Sequence, residues 1–593
     1  MTEQPAPGTD PVQRVRIWYA LLLVVFGIFA TRVFYLQVIR YDYYKKAALS
    51  DQLKQYVVPA ERGIITAHLG DSTVPIVLNQ KLYTLYADPT VVKNTDKVAA
   101  KLQPIIGGNV DDIEKLLKTD GGRRYVILKK KLTPAQNNQV LSFKFPGVGT
   151  QEQDYRTYPQ GTLAAQLLGF VDDEGTGEYG IEQALNTELA GKPGQLKAVT
   201  DINGVPLAAT GGNLSTAPVA GDDVQLTIDV GMQSEVEKIV KAAQEKNKSK
   251  DVSAIVMDVH TGAIKAMANY PSYDPASYQK VDNASLFQND SVTEPIEPGS
   301  ITKVFTTATS LQKGVITPQT TFYDPGSWAI DGAKVSDVEE DHSQGQENVL
   351  STLDKSLNTG ATWMLMQLGG GQIDSQARNT LYDYFFNRFR LGQQSGIEQG
   401  YDPAGYVPKP ADNGAGIDLT YANMSFGQAY SASALQMISG FSAIINGGTY
   451  YQPHLLQQLV APDGSVGGNQ PKVLAKDIIS KQTSDDVVSL LEQNNANHIR
   501  EGYPYLNFGS RYSVGGKTGT AQIANSTTGG YRTDRENGTY LGFIGGDNPQ
   551  YAIVVYNLEP SSYSGFAGAG TAQPIFADIA HMLVNNFGVT PKS

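Results

Sequence analysis

The chain contains no cysteine and only six histidines in 593 residues. Without cysteine there is no disulfide, no thiolate metal site and no catalytic thiol, and a chain exported to an oxidising compartment also escapes mispairing. The histidines (His68, His260, His342, His454, His498 and His581) are too dispersed in sequence to suggest a metal motif. Positive charge is scarce as well: 47 Lys and Arg against 59 Asp and Glu leave a formal net charge of -12 and a pI near 5.1. A nucleic-acid binder needs a Lys/Arg excess to displace counterions from phosphates, so no nucleic acid is expected among the partners. Long apolar runs are missing too, with one exception at the N-terminus.

That exception runs without a break from Ile17 to Ala30 and, after Thr31-Arg32, continues from Val33 to Ile39. Together this makes about 23 residues, against the roughly 20 that a bilayer crossing takes. A cleaved signal peptide with Ile17 to Ala30 as its apolar core is the competing reading, but the bulky Phe34-Tyr35-Leu36 follows where a small-x-small cleavage site belongs. Arg14 and Arg16 precede the span, which places residues 1–16 in the cytoplasm and the long C-terminal part outside, although Arg40, Lys45 and Lys46 follow it. The expectation is a single-pass anchor over 17–39 in the cell membrane.

Residues 40–215 alternate short apolar strands such as Tyr56-Val57-Val58 and Tyr83 to Tyr86 with turn residues, and the pattern predicts a helix over Asp111 to Lys118. A Gly- and Tyr-rich stretch from Tyr155 to Gly194 ends in a predicted helix carrying Ile181, Leu185 and Leu189; Asp172, Asp173, Glu174, Glu178 and Glu182 are read as a solvated loop and helix face. A linker-like boundary follows at Thr210 to Gly221. Beyond it, Val224 to Ile228 alternates like a strand, Gln233 to Gln244 reads as a helix, and 254–257 with 263–267 reads as a hairpin. Two further strands, Leu541 to Ile544 and Ala552 to Tyr556, and a closing helix over Pro574 to Val584 come near the C-terminus. Strands at both ends with helices between them fit an antiparallel sheet with a helical insertion, an α+β domain over 216–593 behind a non-catalytic pedestal over 40–215.

Three polar motifs lie in this second region: Ser300-Ile301-Thr302-Lys303, then Ser356-Leu357-Asn358, then Lys517-Thr518-Gly519-Thr520. Each alone is weak; in this order they describe an active-serine acyl-transfer site. Pro298-Gly299 precede Ser300, and Ile301, Val304, Phe305, Ala308 and Leu311 recur at helical spacing, so Ser300 opens a buried helix with Lys303 one turn on. Taken by itself Ser300 would be an N-cap. A lysine can take the serine proton only if burial or a nearby cation lowers its pKa, and Lys517 would be such a cation. Ser356 and Asn358 are expected in a loop or short turn. There Ser356 relays a proton to the leaving amine, and the Asn358 amide orients Lys303 and donates to a substrate carbonyl. Lys517 to Thr520 suits a strand that takes an extended peptide by β-addition, with Lys517, Thr518 and Thr520 on the substrate carboxylate and the Thr520 and Ser300 amides as an oxyanion hole.

On these motifs, together with Arg32 to Val38, Tyr179 to Gln183, Leu189 to Gly194, Leu226 to Asp229, Glu297 to Ser300, Leu435 to Met437, Asn446 to Gly448 and Gly516 to Gln522, the chain resembles the class B high-molecular-weight penicillin-binding proteins over nearly its whole length. One departure is Thr66-Ala67 after Arg62-Gly63-Ile64-Ile65, where the family usually continues with Asp-Arg. The resemblance implies a membrane-anchored pedestal and a serine β-lactamase-like domain, acting as a peptidoglycan D,D-transpeptidase. It implies Ser300 as acylated nucleophile, Lys303 as base, Ser356 and Asn358 as second motif, Lys517, Thr518, Gly519 and Thr520 as third, and no cofactor. It further implies stem peptides of lipid II-derived strands as substrate, β-lactams as inhibitors and a SEDS-type glycosyltransferase as partner through the membrane helix and pedestal. A D,D-carboxypeptidase, a β-lactamase or β-lactam sensor, and a non-catalytic envelope scaffold share parts of the pattern. The absence of an appended repeat domain and the closing region from Glu559 to Phe576 favour a septal role within the family.

Overall fold

The computed structural model describes residues 11–44, 53–118, 123–199, 214–337, 344–410, 416–468, 470–524 and 530–593. Most of the expected cytoplasmic tail, Lys45 and Lys46, the start of the linker at 210–213 and His342 lie outside the described residues. The N-terminal helix runs from Pro11 to Phe34 and closes with a π-helical turn, Tyr35–Ile39. Val12–Ile39 is apolar and long enough to cross a membrane, and it is unburied. Inside it the Thr31 hydroxyl donates to the Gly27 carbonyl (2.8 Å), so this polar group is satisfied within its own helix.

The chain divides into two compact units. The first comprises Met1–Ala60 with Gly191–Ala220. Beside the helix it holds a three-stranded antiparallel sheet of Leu53–Val58, Gly194–Val199 and Leu214–Thr216. The second comprises Glu61–Ala190 and Gly221–Ser593.

In the second unit the strand Asp223–Asp229 pairs in parallel with Ile65–Leu69, which pairs antiparallel with the long strand Ser72–Ala87. One seven-stranded sheet therefore takes strands from both sides of residue 215. Helices Thr95–Ile106 and Val110–Leu117 cover part of it through Val98, Leu102, Ile113 and Leu117, packed against Leu85 and Leu132. Asn109 caps the second of these helices by accepting from the Asp111 amide.

Two readings of the pedestal need correction. The helix expected to carry Ile181, Leu185 and Leu189 is two short ones, Gly180–Ala184 and Asn186–Ala190, broken at Leu185, although all three side chains are buried. Glu182 is not on a solvated face: it is fully buried between two arginines. Arg62 Nε donates to its Oε2 (2.8 Å) and Arg156 Nε to its Oε1 (2.9 Å). The arginines come from distant segments, which is why local sequence gave no sign of the pairing. Asp173, by contrast, meets Lys130 at the surface (2.5 Å).

The second half is built on a five-stranded antiparallel sheet of β1 (Asp251–Asp258), β2 (Ile264–Tyr270), β3 (Ser513–Ala524), β4 (Tyr531–Gly545) and β5 (Pro549–Leu558), in spatial order β2-β1-β5-β4-β3. Side chains alternate between its faces with period two. Val252, Ala254 and Val256 of β1 and Ile553 and Val555 of β5 enter one core with Val236 and Val240 of helix α1 (Val230–Asn247) and Phe576 and Ile579 of the closing helix, Gln573–Asn586. Ile255, Met257, Ala552 and Val554 enter the opposite core with Val304 and Phe305 of α2 (Lys303–Gln312) and Ile438 and Phe441 of Ala434–Ile445, a helix buried at every position. Both faces are covered, so the strands read as near-continuous apolar runs. The helical insertion also contains α3 (Val349–Asp354), α4 (Asn358–Leu368) and α5 (Lys481–Arg500).

Candidate active site

Ser300 lies in a 3-10 turn, Gly299–Thr302, that leads directly into α2. The expected helix start is therefore one tighter turn followed by the α-helix. Gly299 has φ 68°, and a Cβ there would stand 2.9 Å from the Thr520 carbonyl oxygen, so the turn and β3 can approach only because position 299 is glycine. Two threonines, Thr302 of this turn and Thr306 of α2, tie it to neighbouring segments: Thr302 Oγ1 is 2.6 Å from the Tyr430 hydroxyl, and Thr306 Oγ1 donates to the Ser425 carbonyl (2.7 Å).

Lys303 is buried, and its Nζ sits among four oxygens: Ser300 Oγ at 2.9 Å, Ser356 carbonyl at 2.6 Å, Ser356 Oγ at 3.2 Å and Asn358 Oδ1 at 2.8 Å. The first two motifs thus converge on one amine. Burial, reinforced by the charge of Lys517 and opposed by Asp337, pushes the Lys303 ammonium well below the usual lysine range. A neutral lysine has two N–H groups and one lone pair. With the N–H groups given to the Ser356 carbonyl and Asn358 Oδ1, the lone pair is left for the Ser300 hydroxyl proton.

Ser356 occupies the turn between α3 and α4 with φ 57°, a left-handed conformation rare for a residue with a Cβ. Asn358 does not lie in the loop; it is the first residue of α4. Its side-chain nitrogen donates one N–H to the Ser336 carbonyl (3.1 Å) while Oδ1 takes Lys303, so the side chain holds Lys303 and keeps a second N–H beyond the Ser336 bond. Asp337 accepts from the Thr359 amide (3.1 Å), from the Thr359 hydroxyl (2.9 Å) and from the Asn358 amide, placing a carboxylate at the α4 N-terminus.

The third motif lies on β3, the edge strand of the sheet. Lys517 is fully buried, its Nζ within reach of the Thr518 carbonyl (3.1 Å) and hydroxyl (3.2 Å), and burial pushes its pKa down to about 7. Gly519 is required by its neighbours: a Cβ there would stand 2.2 Å from Thr539 Oγ1 and 3.0 Å from the Pro298 carbonyl oxygen. Thr539 itself donates to that carbonyl (2.9 Å), which pins β4 to the Ser300 turn. Thr518 and Thr520 are half-buried, and the Gly568 amide donates to Thr520 Oγ1 (3.2 Å).

Several contacts at this site had no motif to mark them, although Glu297 and Gln522 lie within stretches that carry the family resemblance. Glu297 Oε1 accepts from the Ala429 amide (2.8 Å) and the Tyr531 hydroxyl (3.2 Å), joining the segment before Ser300 to the loop at Ala429 and to the start of β4. Gln428 donates to Gln522 Oε1 (2.9 Å) across the same opening. Asp354, His498 and Glu501 bring ligand-type atoms within 4.8 Å of one another. However, Asn497 donates to Asp354 Oδ2 (3.0 Å) and His498 Nδ1 faces the Gln573 amide (3.1 Å), so the set is tied into side-chain hydrogen bonds. Only contact across distant segments reveals these pairings.

The arrangement has known parallels. The penicillin binding protein transpeptidase domain model matches residues 252–581, and the penicillin-binding protein dimerisation domain model matches residues 57–226. Penicillin-binding protein PbpB of Mycobacterium tuberculosis is 31% identical over 601 residues, covering 98% of this chain and 86% of the relative. The probable peptidoglycan D,D-transpeptidase PenA of Neisseria gonorrhoeae is 26% identical over 98% of this chain and 93% of its own length. Among solved structures, penicillin-binding protein 3 of M. tuberculosis complexed with aztreonam aligns with a TM-score of 0.68 and 26% identity, over 90% of this chain and 98% of that one. Penicillin-binding protein 2X of Streptococcus thermophilus shares the fold, with a TM-score of 0.71 at 22% identity over 89% of this chain and 79% of that one.

Proposed function

The chain belongs to the penicillin-binding protein transpeptidase family, as a peptidoglycan D,D-transpeptidase of cell-wall synthesis, and from that premise we propose that it works through an acyl-enzyme on Ser300. The observation that carries this reading is the Lys303 amine, buried, 2.9 Å from Ser300 Oγ and fixed by Ser356 and Asn358. Lys303 takes the Ser300 proton as Oγ attacks the penultimate D-alanine carbonyl of a stem peptide. The oxyanion meets the Ser300 and Thr520 amides. Collapse breaks the peptide C–N bond, with Ser356 passing a proton to the departing D-alanine amine. An amine of a neighbouring stem then attacks the Ser300 ester, forms the new amide and returns the proton to Ser300. Lys517 with Thr518 and Thr520 holds the substrate carboxylate, while the free edge of β3, which Gly519 keeps close to the nucleophile turn, takes the peptide backbone.

On this reading 216–593 is the transpeptidase domain, 40–215 its pedestal, 17–39 the membrane anchor and 1–16 a cytoplasmic tail. A SEDS-type glycosyltransferase is the proposed partner through the anchor and pedestal, and the septum the proposed site of action. The closing region from Glu559 to Phe576 and the Glu297-Pro298-Gly299-Ser300 opening support the septal role. Depletion should then give filaments or chains of cells with blocked septa, whereas rounded cells that still divide would assign the protein to lateral wall growth.

Labelling with a fluorescent penicillin followed by mass spectrometry tests the chemistry. A stable adduct on Ser300 is expected, lost in Ser300→Ala with folding intact. An adduct on Ser356, or rapid release of hydrolysed drug, would overturn the assignment.

A further inference from the structure

Apart from the three motifs, a cavity of about 430 Å³ lies between the helix Gly180–Ala184 and the segments 287–293 and 399–401, within the size range of small-molecule sites. Its floor is a fixed ladder of side-chain amides. Asn269 donates to Asn289 Oδ1 (2.8 Å), Asn289 to Gln399 Oε1 (3.0 Å) and Gln399 to the Leu167 carbonyl (3.0 Å). Gln166, beside them, donates to the Pro271 carbonyl (2.9 Å) and accepts from the Ser272 hydroxyl (3.1 Å). With these groups engaged by one another and by the backbone, the floor keeps its shape without a ligand.

The rim is different. The carboxamides of Gln183 and Gln288 are exposed and have no hydrogen-bond partner among the described residues, and Thr293 Oγ1, on the cavity wall, is buried with none. A buried hydroxyl without a partner is costly unless a group entering the cavity meets it. Tyr179 and Phe287 pack against each other (ring centroids 5.2 Å), whereas Tyr401 is 62% exposed and stacks on no ring among the described residues. Gly400 puts Tyr401 there: a Cβ at that position would stand 1.8 Å from Gln183 Oε1, so the loop lies against Gln183 only as glycine. Glu178 is the only charged side chain among the described residues that line the cavity. A phosphate, or a stem peptide with its carboxylates and amine, would find little counter-charge here. A neutral ligand rich in groups that both donate and accept suits carboxamides, and one with an apolar ring face suits an exposed tyrosine. An N-acetylated sugar chain has both.

We propose that this cavity is a second binding site, for the N-acetylated glycan strand of peptidoglycan, with a sugar face on Tyr401 and acetamido and hydroxyl groups on Gln183, Gln288 and Thr293. The choice of ligand rests on the reading above, in which the substrate stems belong to such strands. The segment 287–293 runs on to the Glu297 to Ser300 turn, so a strand gripped here is held by the part of the chain that carries Ser300. Holding the strand at one point raises the effective concentration of its stems at the other site.

The test is titration calorimetry of the full chain in detergent with the β-1,4-linked tetramer of N-acetylglucosamine, which has the sugar backbone and acetamides of the strand and no peptide. Saturable binding is expected, weakened about tenfold or more in Tyr401→Ala and in Gln183→Ala combined with Gln288→Ala, and largely kept in Tyr401→Phe, which retains the ring. The β-1,4-linked glucose tetramer, without acetamides, should bind roughly tenfold more weakly than the acetylated one. No binding of the acetylated tetramer, native affinity in Tyr401→Ala and the double variant, or displacement of the tetramer by a free stem pentapeptide would each overturn the proposal, the last by making the cavity a peptide site. The replaced side chains are exposed and belong to none of the three motifs, so acylation of Ser300 by a fluorescent penicillin should keep its native rate in every variant and reports that each has folded. Should Tyr401→Ala not fold, Tyr401→Gln replaces it with the same expected loss. Tetramer binding by a native protein that forms no Ser300 adduct would sink the acyl-enzyme and leave this site standing.

Discussion

The Gly299 amide donates to the Gly427 carbonyl (3.1 Å), and a Cβ at Gly427 would stand 1.9 Å from the Gly299 carbonyl oxygen. The residue before Ser300 is thus clasped by a loop more than a hundred positions away, in a contact only glycine permits; Gly427 also has φ 106°. Gly427→Ala has to push the Ser300 turn off its position over Lys303, and a displacement of this kind in a reacting geometry costs on the order of 100-fold in rate. Acylation by a fluorescent penicillin should fall by that order while the far-UV circular dichroism is unchanged. A native acylation rate in the variant would mean that the turn is held by other contacts.

The two lysines should separate kinetically. Lys303→Ala should remove acylation, because no base remains beside Ser300, and Lys303→Arg should not rescue it, since a guanidinium stays charged. Lys517→Ala should chiefly weaken capture of carboxylate-bearing substrates, by on the order of 1.5 to 3 kcal/mol for one charge-assisted contact. Saturation kinetics with a carboxylate-bearing β-lactam and its ester would measure the split. Equal and complete loss of the acylation step in both Ala variants would show that the roles are shared or reversed.

In the pedestal, Glu182→Gln leaves Arg62 and Arg156 facing each other with their common counter-charge gone. Breaking a buried ion pair by removing one partner typically costs about 3 to 5 kcal/mol. Urea unfolding of the pedestal should show a loss of that order, with the acylation rate of the folded protein unchanged because Glu182 touches no residue of the site. A change below about 1 kcal/mol, the range of exposed pairs, would contradict the buried triad.

His498 makes a pH prediction for stability. Its pKa is pushed down to about 4 from 6.5, so the unfolded chain takes up this proton first as pH falls. The contribution to stability is whole above pH 6.5 and is lost as pH drops through that window toward 4; a shift of this size amounts to on the order of 3 kcal/mol. Since other groups titrate in the same range, the quantity to measure is the difference between the native protein and His498→Gln in denaturant midpoints at pH 7 and pH 4.5. The variant should lose less stability across that interval, and parallel losses would place the ring in contact with water.

The sequence by itself determined the elements and the chemistry that local order can encode. Val12–Ile39 announces itself by composition, β1, β2 and β5 by their apolar runs, and α2 by its spacing behind Ser300, because burial periodicity is written into neighbouring positions. The three motifs are legible for the same reason: each is a handful of adjacent residues whose side chains must share one turn or one strand face. What tertiary structure alone decided is every pairing between segments far apart in the chain. Glu182 looked like one of five surface acids until Arg62 and Arg156 closed on it. Nothing in the sequence singled out Gly427, which meets Gly299, or His498, which meets Gln573. A buried charge or a forbidden Cβ is set by what lies opposite in space, and the distance along the chain carries no trace of it.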